Sequence, residues 1–420
     1  MISCAYQTEI RPIAVVSLSD CSTTASALRK ASSSVGTELR TQAGGEQFGG
    51  RRANHRIARS KGRMPWRPAP AHTRAPRRAA AASALFSLLV AAAWGSSIAS
   101  DPFYPCSDLS LGGAWHDDGF TFALVGGVLH GWGDQNFGQL GRGYNVTTSV
   151  GGNAGETGLA AFPAMDMGTD VSVLAVSAGW THACALLTPG GRIKCWGFGG
   201  AVLGDGQSSQ MSLLSANLPT VDLGTGLTAS QVACHFGHSC ALLAGDDAAS
   251  EWPLNAGIVK CWGKNDRGQL GQGDQNDRGD EAGEMGDFLP AVSLGARAMA
   301  VAVGGPINAD VSCALLEDGR VRCWGGGSGI GGAGATMGDA LAFIDFGAGR
   351  TAVALSHSCA ILDNGALACW SDAGAQTAVV QNLGTGRMVV AVADGEHHRC
   401  AILDNRETKC WGEGRDGALG

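Results

Sequence analysis

The residues with the most specific chemistry in this 420-residue chain are its 14 cysteines and 10 histidines. Four histidines stand two places before a cysteine: His182 before Cys184, His238 before Cys240, His357 before Cys359 and His398 before Cys400. A His-x-Cys pair is compatible with metal binding or with disulfide formation. Structural zinc sites use tetrahedral Cys₄ or Cys₂His₂ sets with short C-x₂₋₄-C spacing. Here each cysteine is answered ten or more residues later, across a turn-forming segment: Cys184 by Cys195, Cys240 by Cys261, Cys313 by Cys323, Cys359 by Cys369 and Cys400 by Cys410. That spacing favours crosslinked hairpins, and no metal or other cofactor is expected. The repeated histidines are expected to donate structural hydrogen bonds that lock each unit.

A register count sharpens the expectation. In Cys313–Cys323 a three-residue turn, Glu317-Asp318-Gly319, with Gly319 left-handed, is a common hairpin connection. It sets Leu315 opposite Val321, Ala314 opposite Arg322 and Cys313 opposite Cys323. Directly opposed residues sit about 4.5–5.5 Å apart at Cβ, which suits a disulfide. The same count serves Cys359 with Cys369 and Cys400 with Cys410. Cys184–Cys195 has one more turn residue, and Cys240–Cys261 carries an insertion of about ten. In a sixth, degenerate copy (Phe122–Gly133) both cysteines are replaced, by Phe122 and Gly131. Joint loss is what bonded pairs require. Cys106 and Cys234 remain and are candidates to pair with each other.

These hairpins belong to a repeat. Each ends on a tryptophan: Trp132, Trp196, Trp262, Trp324, Trp370 and Trp411, spaced 64, 66, 62, 46 and 41 residues apart. The tryptophans are expected to form core between units. Upstream of each hairpin a short strand is expected to begin near a D-L-G-T-G segment, as at Asp222–Gly226, and to continue through a β-branched stretch. Downstream comes a glycine turn, G-Q-L-G-x-G at Gly138–Gly143 and Gly268–Gly273. Short β runs with glycine turns, six times over, indicate an all-β fold, a β-propeller of six recognisable repeats with six or seven blades. The 65 glycines argue against long helices.

Charge divides the chain. Residues 1–100 hold 14 Lys/Arg against 4 Asp/Glu, whereas residues 101–420 hold 16 against 33. An acidic body is a poor default for phosphate backbones, so no nucleic-acid partner is expected. Arg77-Arg78 precede an apolar run, Ala79–Trp94, and small residues ending at Ser100. This is the order of a secretory signal, with Met64 as its start. The expected organisation is therefore a basic extension or gene-model artefact at 1–63, a signal peptide at 64–99 and a repeat domain at 100–420. The 16-residue run is short for a span of about 20, so membrane attachment is expected only if it is kept as an anchor. Twelve cysteines in the body also fit an oxidising compartment.

No catalytic constellation stands out: there is no G-x-S-x-G, no phosphate-cradling P-loop and no H-E-x-x-H. An acidic loop, Asp274 to Asp287, lacks the twelfth-position Glu of a calcium loop, having Met285 there. Asn145-Val146-Thr147 is a glycosylation sequon. Binding, if present, falls to loops between strands. The candidates are Asp134, Gln135 and Asn136, then Lys264, Asn265, Asp266 and Arg267, and an insertion carrying Trp252.

The pattern G-x-x-H-[ST]-C-A-L, G-x-V-x-C-W-G, G-Q-L-G over roughly 105–420 resembles the repeat of the regulator of chromosome condensation family. That family also includes a secreted bacterial β-lactamase-inhibitor protein. The cysteine-bearing variant is similar to the ectodomain repeats of plant crinkly-type receptor kinases. The resemblance implies a seven-bladed propeller of four-stranded blades. This chain shows six units, so a blade is cryptic in 141–165, or the ring has six, or the C-terminus is truncated. The nuclear founder of the family is an exchange factor for the GTPase Ran and binds chromatin, whereas secreted members bind proteins through loops on one face. The signal-like run, paired cysteines and acidic body favour the second kind: a secreted or cell-surface, monomeric, non-catalytic protein with a protein or glycan partner. The intracellular, nuclear exchange or chromatin role is the alternative.

Overall fold

The computed structural model describes residues 108–112, 119–142, 149–151, 164–206, 218–245, 257–305, 310–326, 337, 340–370, 377–395 and 398–412. The expected extension and signal segment, Cys106, Asn145 and Trp252 lie outside the described residues.

The hairpin count fixes the local structure. In the fourth repeat β10 (Ala298–Gly304), β11 (Val311–Leu316) and β12 (Val321–Gly325) are the parallel of β1 (Asp108–Gly112), β2 (Phe120–Val125) and β3 (Val128–Gly133) in the first. Between them lie β4 (Ser172–Ala178), β5 (His182–Thr188) and β6 (Arg192–Gly197), then β7 (Leu227–Cys234), β8 (His238–Gly245) and β9 (Ile258–Gly263). The fifth repeat is β13 (Ala352–Leu355), β14 (Cys359–Leu362), β15 (Leu367–Cys369) and β16 (Val379–Val380). The sixth is β17 (Val389–Asp394), β18 (His398–Leu403) and β19 (Thr408–Gly412). Each repeat is one antiparallel sheet in chain order, five of three strands and one of four. Cys313 pairs with Cys323 and Leu315 with Val321, the register the turn demands.

A fourth strand is vestigial in most blades. The outer edge of the third strand is met by single backbone bonds, such as Val221 N–H to Ile193 O at 2.8 Å and Val292 N–H to Val259 O at 2.7 Å. The D-L-G-T-G segment lies just before the next strand, which begins at Leu227 as expected. It is the turn that leaves this outer edge and leads inward, braced where Asp222 Oδ1 accepts from the Gly224 N–H at 3.0 Å.

No blade can bury both its faces alone, so the blades pack in succession. The first strands β4, β7, β10 and β13 each pack against the blade before, and β17 against β14. Apolar clusters span the junctions: Leu186 and Ile193 of the second blade share a core with Val232, Leu243 and Trp262 of the third. The hairpin turns add a recurrent backbone clamp. The carbonyls of Gly127, Gly191, Gly257, Gly319 and Gly365 accept from Val173, Ala229, Ala298, Ala352 and Val389 in the next blade, at 2.7–3.0 Å. This explains one use of glycine. At Gly257 φ is +82°, and a Cβ would lie 2.6 Å from the Ala298 carbonyl oxygen. Any L side chain at such a position is strained.

Candidate functional site

All five hairpin cysteine pairs are bonded: Cys184–Cys195, Cys240–Cys261, Cys313–Cys323, Cys359–Cys369 and Cys400–Cys410, with Cα separations of 4.0–4.1 Å. The crosslinks tie the second strand of each blade to the third.

The histidines reach beyond their own hairpins. His182 Nε2 lies 3.0 Å from Ser239 Oγ of the next blade, and His238 Nε2 lies 2.9 Å from Ser312 Oγ of the blade after that. Ser312 Oγ itself donates to the Gln269 carbonyl at 2.9 Å. It must therefore accept from His238, which places the proton on Nε2 and leaves Nδ1 with a lone pair. Nδ1 of both His182 and His238 lacks a hydrogen-bond partner, and both rings are fully buried. Burial, with the nearby charge of other histidines, pushes His182 down to about 3. Burial likewise pushes His238 down to about 4, against the opposing pull of Asp310. Both are neutral locks, and neither is placed to shuttle protons at neutral pH.

The tryptophans lock the same junctions. Trp196 Nε1 donates to the Gln139 carbonyl at 2.8 Å and Trp324 Nε1 to Gln269 at 3.0 Å, each into the glycine turn of the preceding blade, and Trp262 Nε1 donates to Val202 at 3.0 Å, in the short helix Gly200–Leu203 that follows β6. Trp132 and Trp411 are partly buried and Trp370 is buried. The third strand adds a buried cation that reaches the Leu-Gly turn. Lys260 Nζ donates to the carbonyls of Leu223 and Gly286 at 2.8 and 2.9 Å, and Lys194, Arg322 and Lys409 make the equivalent bond. This use of the third-strand cation is not visible in the sequence repeat, because its partner is a main-chain oxygen.

The first and second blades lack the His–Ser lock between them, having Phe120 and Ala183 at those places. Between the fifth and sixth blades a charged knot replaces it. Asp394 accepts from Ser356 Oγ and from the Ser358 N–H and hydroxyl, with His357 Nδ1 3.5 Å away. Arg399 stands where the third and fourth blades carry serine, and its Nε donates to Ser358 Oγ at 2.9 Å. His398 is buried at the start of β18.

The loops after the tryptophans separate into bracing and exposed residues. Asp134, Gln135 and Asn265 are buried. Gln135 Oε1 and Asn265 Oδ1 accept from Leu140 and Leu270 at 2.7 and 2.9 Å, so these amides hold the G-Q-L-G turn in shape. Asp134 accepts from Asn136, Gln139 and Ser149. Asn136, Lys264 and Asp266 are exposed, and Arg267 is half-buried.

Residues 173–201 match the family model for the Regulator of chromosome condensation (RCC1) repeat. That segment, from β4 to just after β6, is similar to one such repeat. Its fold is similar to that of human WBSCR16, at 18% identity and a TM-score of 0.55, over 75% of this chain and 78% of that one. It is equally similar to yeast RCC1 (Prp20), solved bound to Kap60, at 17% identity and a TM-score of 0.54, over 75% and 71%. In sequence it is 29% identical to the Ultraviolet-B receptor UVR8 of Arabidopsis thaliana over 209 residues, which are 49% of this chain and 38% of the receptor. The chain thus matches less than half the length of that relative.

In the first three blades the β4–β5 and β7–β8 loops share one end with the loops after β3, β6 and β9. Phe198 N–H bonds to Thr181 O at 2.9 Å and Lys264 N–H to Gly237 O at 2.8 Å. Four half-buried aromatics form two pairs there. Phe137 of the first blade contacts Phe198 of the second at 5.4 Å between ring centroids. Trp180 of the second stacks on Phe236 of the third at 4.2 Å. Trp180 and Phe236 share one repeat position, two residues before His182 and His238, so each pair bridges a blade junction beside the loop candidates. Among the described residues no helix is long and apolar enough to cross a membrane.

Proposed function

We propose that the chain is a non-catalytic binding propeller, secreted or at the cell surface, which engages a protein partner through the loop end of its first three blades. The observation that carries this is the two aromatic pairs, Phe137–Phe198 and Trp180–Phe236, one at each of two successive blade junctions, with the exposed Asn136, Lys264 and Asp266 in the neighbouring loops. Aromatic side chains on a rigid frame, with a polar rim, are the usual anchors of protein interfaces. The polar groups found elsewhere in the blades, His182, His238, Lys260 and Asp394, are committed to holding blades together. The five hairpin disulfides support an oxidising compartment. A glycan partner would use the same aromatics.

The test is capture of binding partners from the native source with the wild-type chain and with a Trp180→Ala, Phe236→Ala variant. Partners retained by the wild type and lost by the variant support the proposal. Partners retained equally by both refute it.

The alternative is an intracellular role, in nucleotide exchange or on chromatin. It draws on the fold shared with yeast Prp20, whose binding to Gsp1p and histones has been studied. Accelerated nucleotide release from a Ran-type GTPase by the purified chain would favour it over the binding role.

A further inference from the structure

Among the described residues one cysteine is not in a disulfide: Cys234, buried at the end of β7. Its position is not neutral. Its sulfur, the Cys184 sulfur and a His182 ring nitrogen all lie within 4.8 Å of one another, and all three residues are buried. Ser239 Oγ sits among them, 3.0 Å from His182 Nε2, 3.9 Å from Cys184 Sγ and 3.5 Å from Cys234 Sγ, to which it donates. Cys234 is anchored across the blade junction as well, its N–H donating to Ser177 Oγ at 2.9 Å. Ser177 is in turn the register partner of Cys184. A free thiol is thus held against one of the five disulfides, and against that one alone. The residues in the same register place in the second, fourth and sixth blades are Ala178, Val303 and Asp394.

We propose that Cys234 is the resolving thiol of an internal disulfide exchange. Cys234 Sγ gives up its proton and attacks Cys184 Sγ, and a new Cys184–Cys234 bond forms as the Cys184–Cys195 bond breaks. Cys195 leaves as the thiolate and takes up the proton. One disulfide and one thiol enter and one of each leave, so no external oxidant or reductant is needed. The consequence is structural. A staple inside the second blade becomes a covalent bolt between the second and third blades, at the junction that also carries the aromatic pair Trp180–Phe236.

The device is held off at neutral pH because the thiolate is the nucleophile. Burial pushes the Cys234 thiol up to about 11, outweighing the hydrogen bonds from Ser239 and Ser177. His182 is too weak a base to relieve it. The groups that face Cys234 are His182, Ser239 and Ser177, none of them charged at neutral pH. Exchange is therefore expected on raising the pH, or when opening of this junction admits water to the sulfur.

The experiment is disulfide mapping of the intact chain. The folded protein is held at pH 7.5 or pH 9.5, quenched in acid, and its free thiols are alkylated in denaturant before digestion. The label is expected on Cys234 at pH 7.5. At pH 9.5, where more of the thiol is ionised and exchange is faster, a share of the label is expected on Cys195, with a Cys184–Cys234 crosslinked peptide and the other four pairs intact. Cys234→Ser should abolish the movement. Cys195→Ser, which leaves Cys184 and Cys234 as the junction's two thiols, should form the Cys184–Cys234 bond on mild oxidation while folded. Label that stays on Cys234 at both pH values overturns the proposal, as does a Cys106–Cys234 crosslink. So does exchange spread over all five pairs without preference for Cys184, which marks unfolding, or a folded Cys195→Ser chain that fails to crosslink.

Discussion

His182 and His238 make the blade junctions acid-sensitive, and the size of the effect follows from their surroundings. Both rings are wholly buried, each donates from Nε2 to a serine of the next blade, and each leaves Nδ1 unpartnered. Protonation of His182 places a charge where no acceptor is in bonding contact, and at His238 the Asp310 carboxylate, 3.9 Å from Nδ1, only partly offsets burial. Burial therefore lowers the folded values from 6.5 to about 3 and about 4. The unfolded chain binds protons that the folded chain does not. The stabilisation from the neutral rings is complete above pH 6.5 and is lost as pH falls toward 4. Between pH 7 and pH 5 each histidine costs about 2 kcal/mol, about 4 kcal/mol together. Carboxylates contribute mainly below this window, so the two histidines can be read apart from them. Urea unfolding of the disulfide-intact chain at the two pH values measures the loss. His182→Gln with His238→Gln keeps an N–H for Ser239 and Ser312 but cannot titrate. The double variant is expected to be somewhat less stable at pH 7, and to lose about 4 kcal/mol less than the wild type on going to pH 5. An equal pH dependence in wild type and variant would refute the account of these histidines as buried neutral locks.

Other perturbations test other parts of the frame. Gly257→Ala forces a Cβ against the Ala298 carbonyl at φ +82°, and should lower stability by about 2 kcal/mol or more in thermal unfolding. Trp262→Phe keeps an aromatic ring in the junction but removes the bond to the Val202 carbonyl and leaves a void, and should cost about 1 kcal/mol or more by the same measurement. Replacing Cys313 and Cys323 together by serine opens a loop of sequence separation 10 and should cost about 3 kcal/mol in denaturant unfolding, with the fold retained. Trp180→Ala with Phe236→Ala should weaken partner binding at least about tenfold in a titration while leaving the melting temperature within a few degrees, since both rings are half-buried.

The hairpins were legible because a turn of known length sets which residues oppose, and that count holds from Cys184 to Cys410. The role of tryptophan as junction core was legible from its recurrence. What each histidine bonds was not, because Ser239 and Ser312 lie in the following blade, 57 and 74 residues away, and a repeat unit read alone contains no neighbour. The glycine turns had a clear need for left-handed backbone, but the clamp made by carbonyls such as that of Gly191 involves main chain only. The D-L-G-T-G segment marked the approach to a strand because its β-branched sequel is one. The structure makes it the turn before the strand, since its aspartate folds back on the backbone. In the post-tryptophan loops, polar side chains read as surface candidates divide by direction: Gln135 and Asn265 point inward to cap amides, and Asn136 and Asp266 point out. Cys234 carried no pattern of its own, and its meaning comes from Cys184 across the junction.

The central claim is a frame of blades in which each hairpin holds its own crosslink. Peptide mapping at neutral pH without reductant tests it most directly. The expected result is five crosslinked peptides, joining Cys184 to Cys195, Cys240 to Cys261, Cys313 to Cys323, Cys359 to Cys369 and Cys400 to Cys410. Free thiols at these positions in the native protein, or crosslinks running between different hairpins, would contradict it.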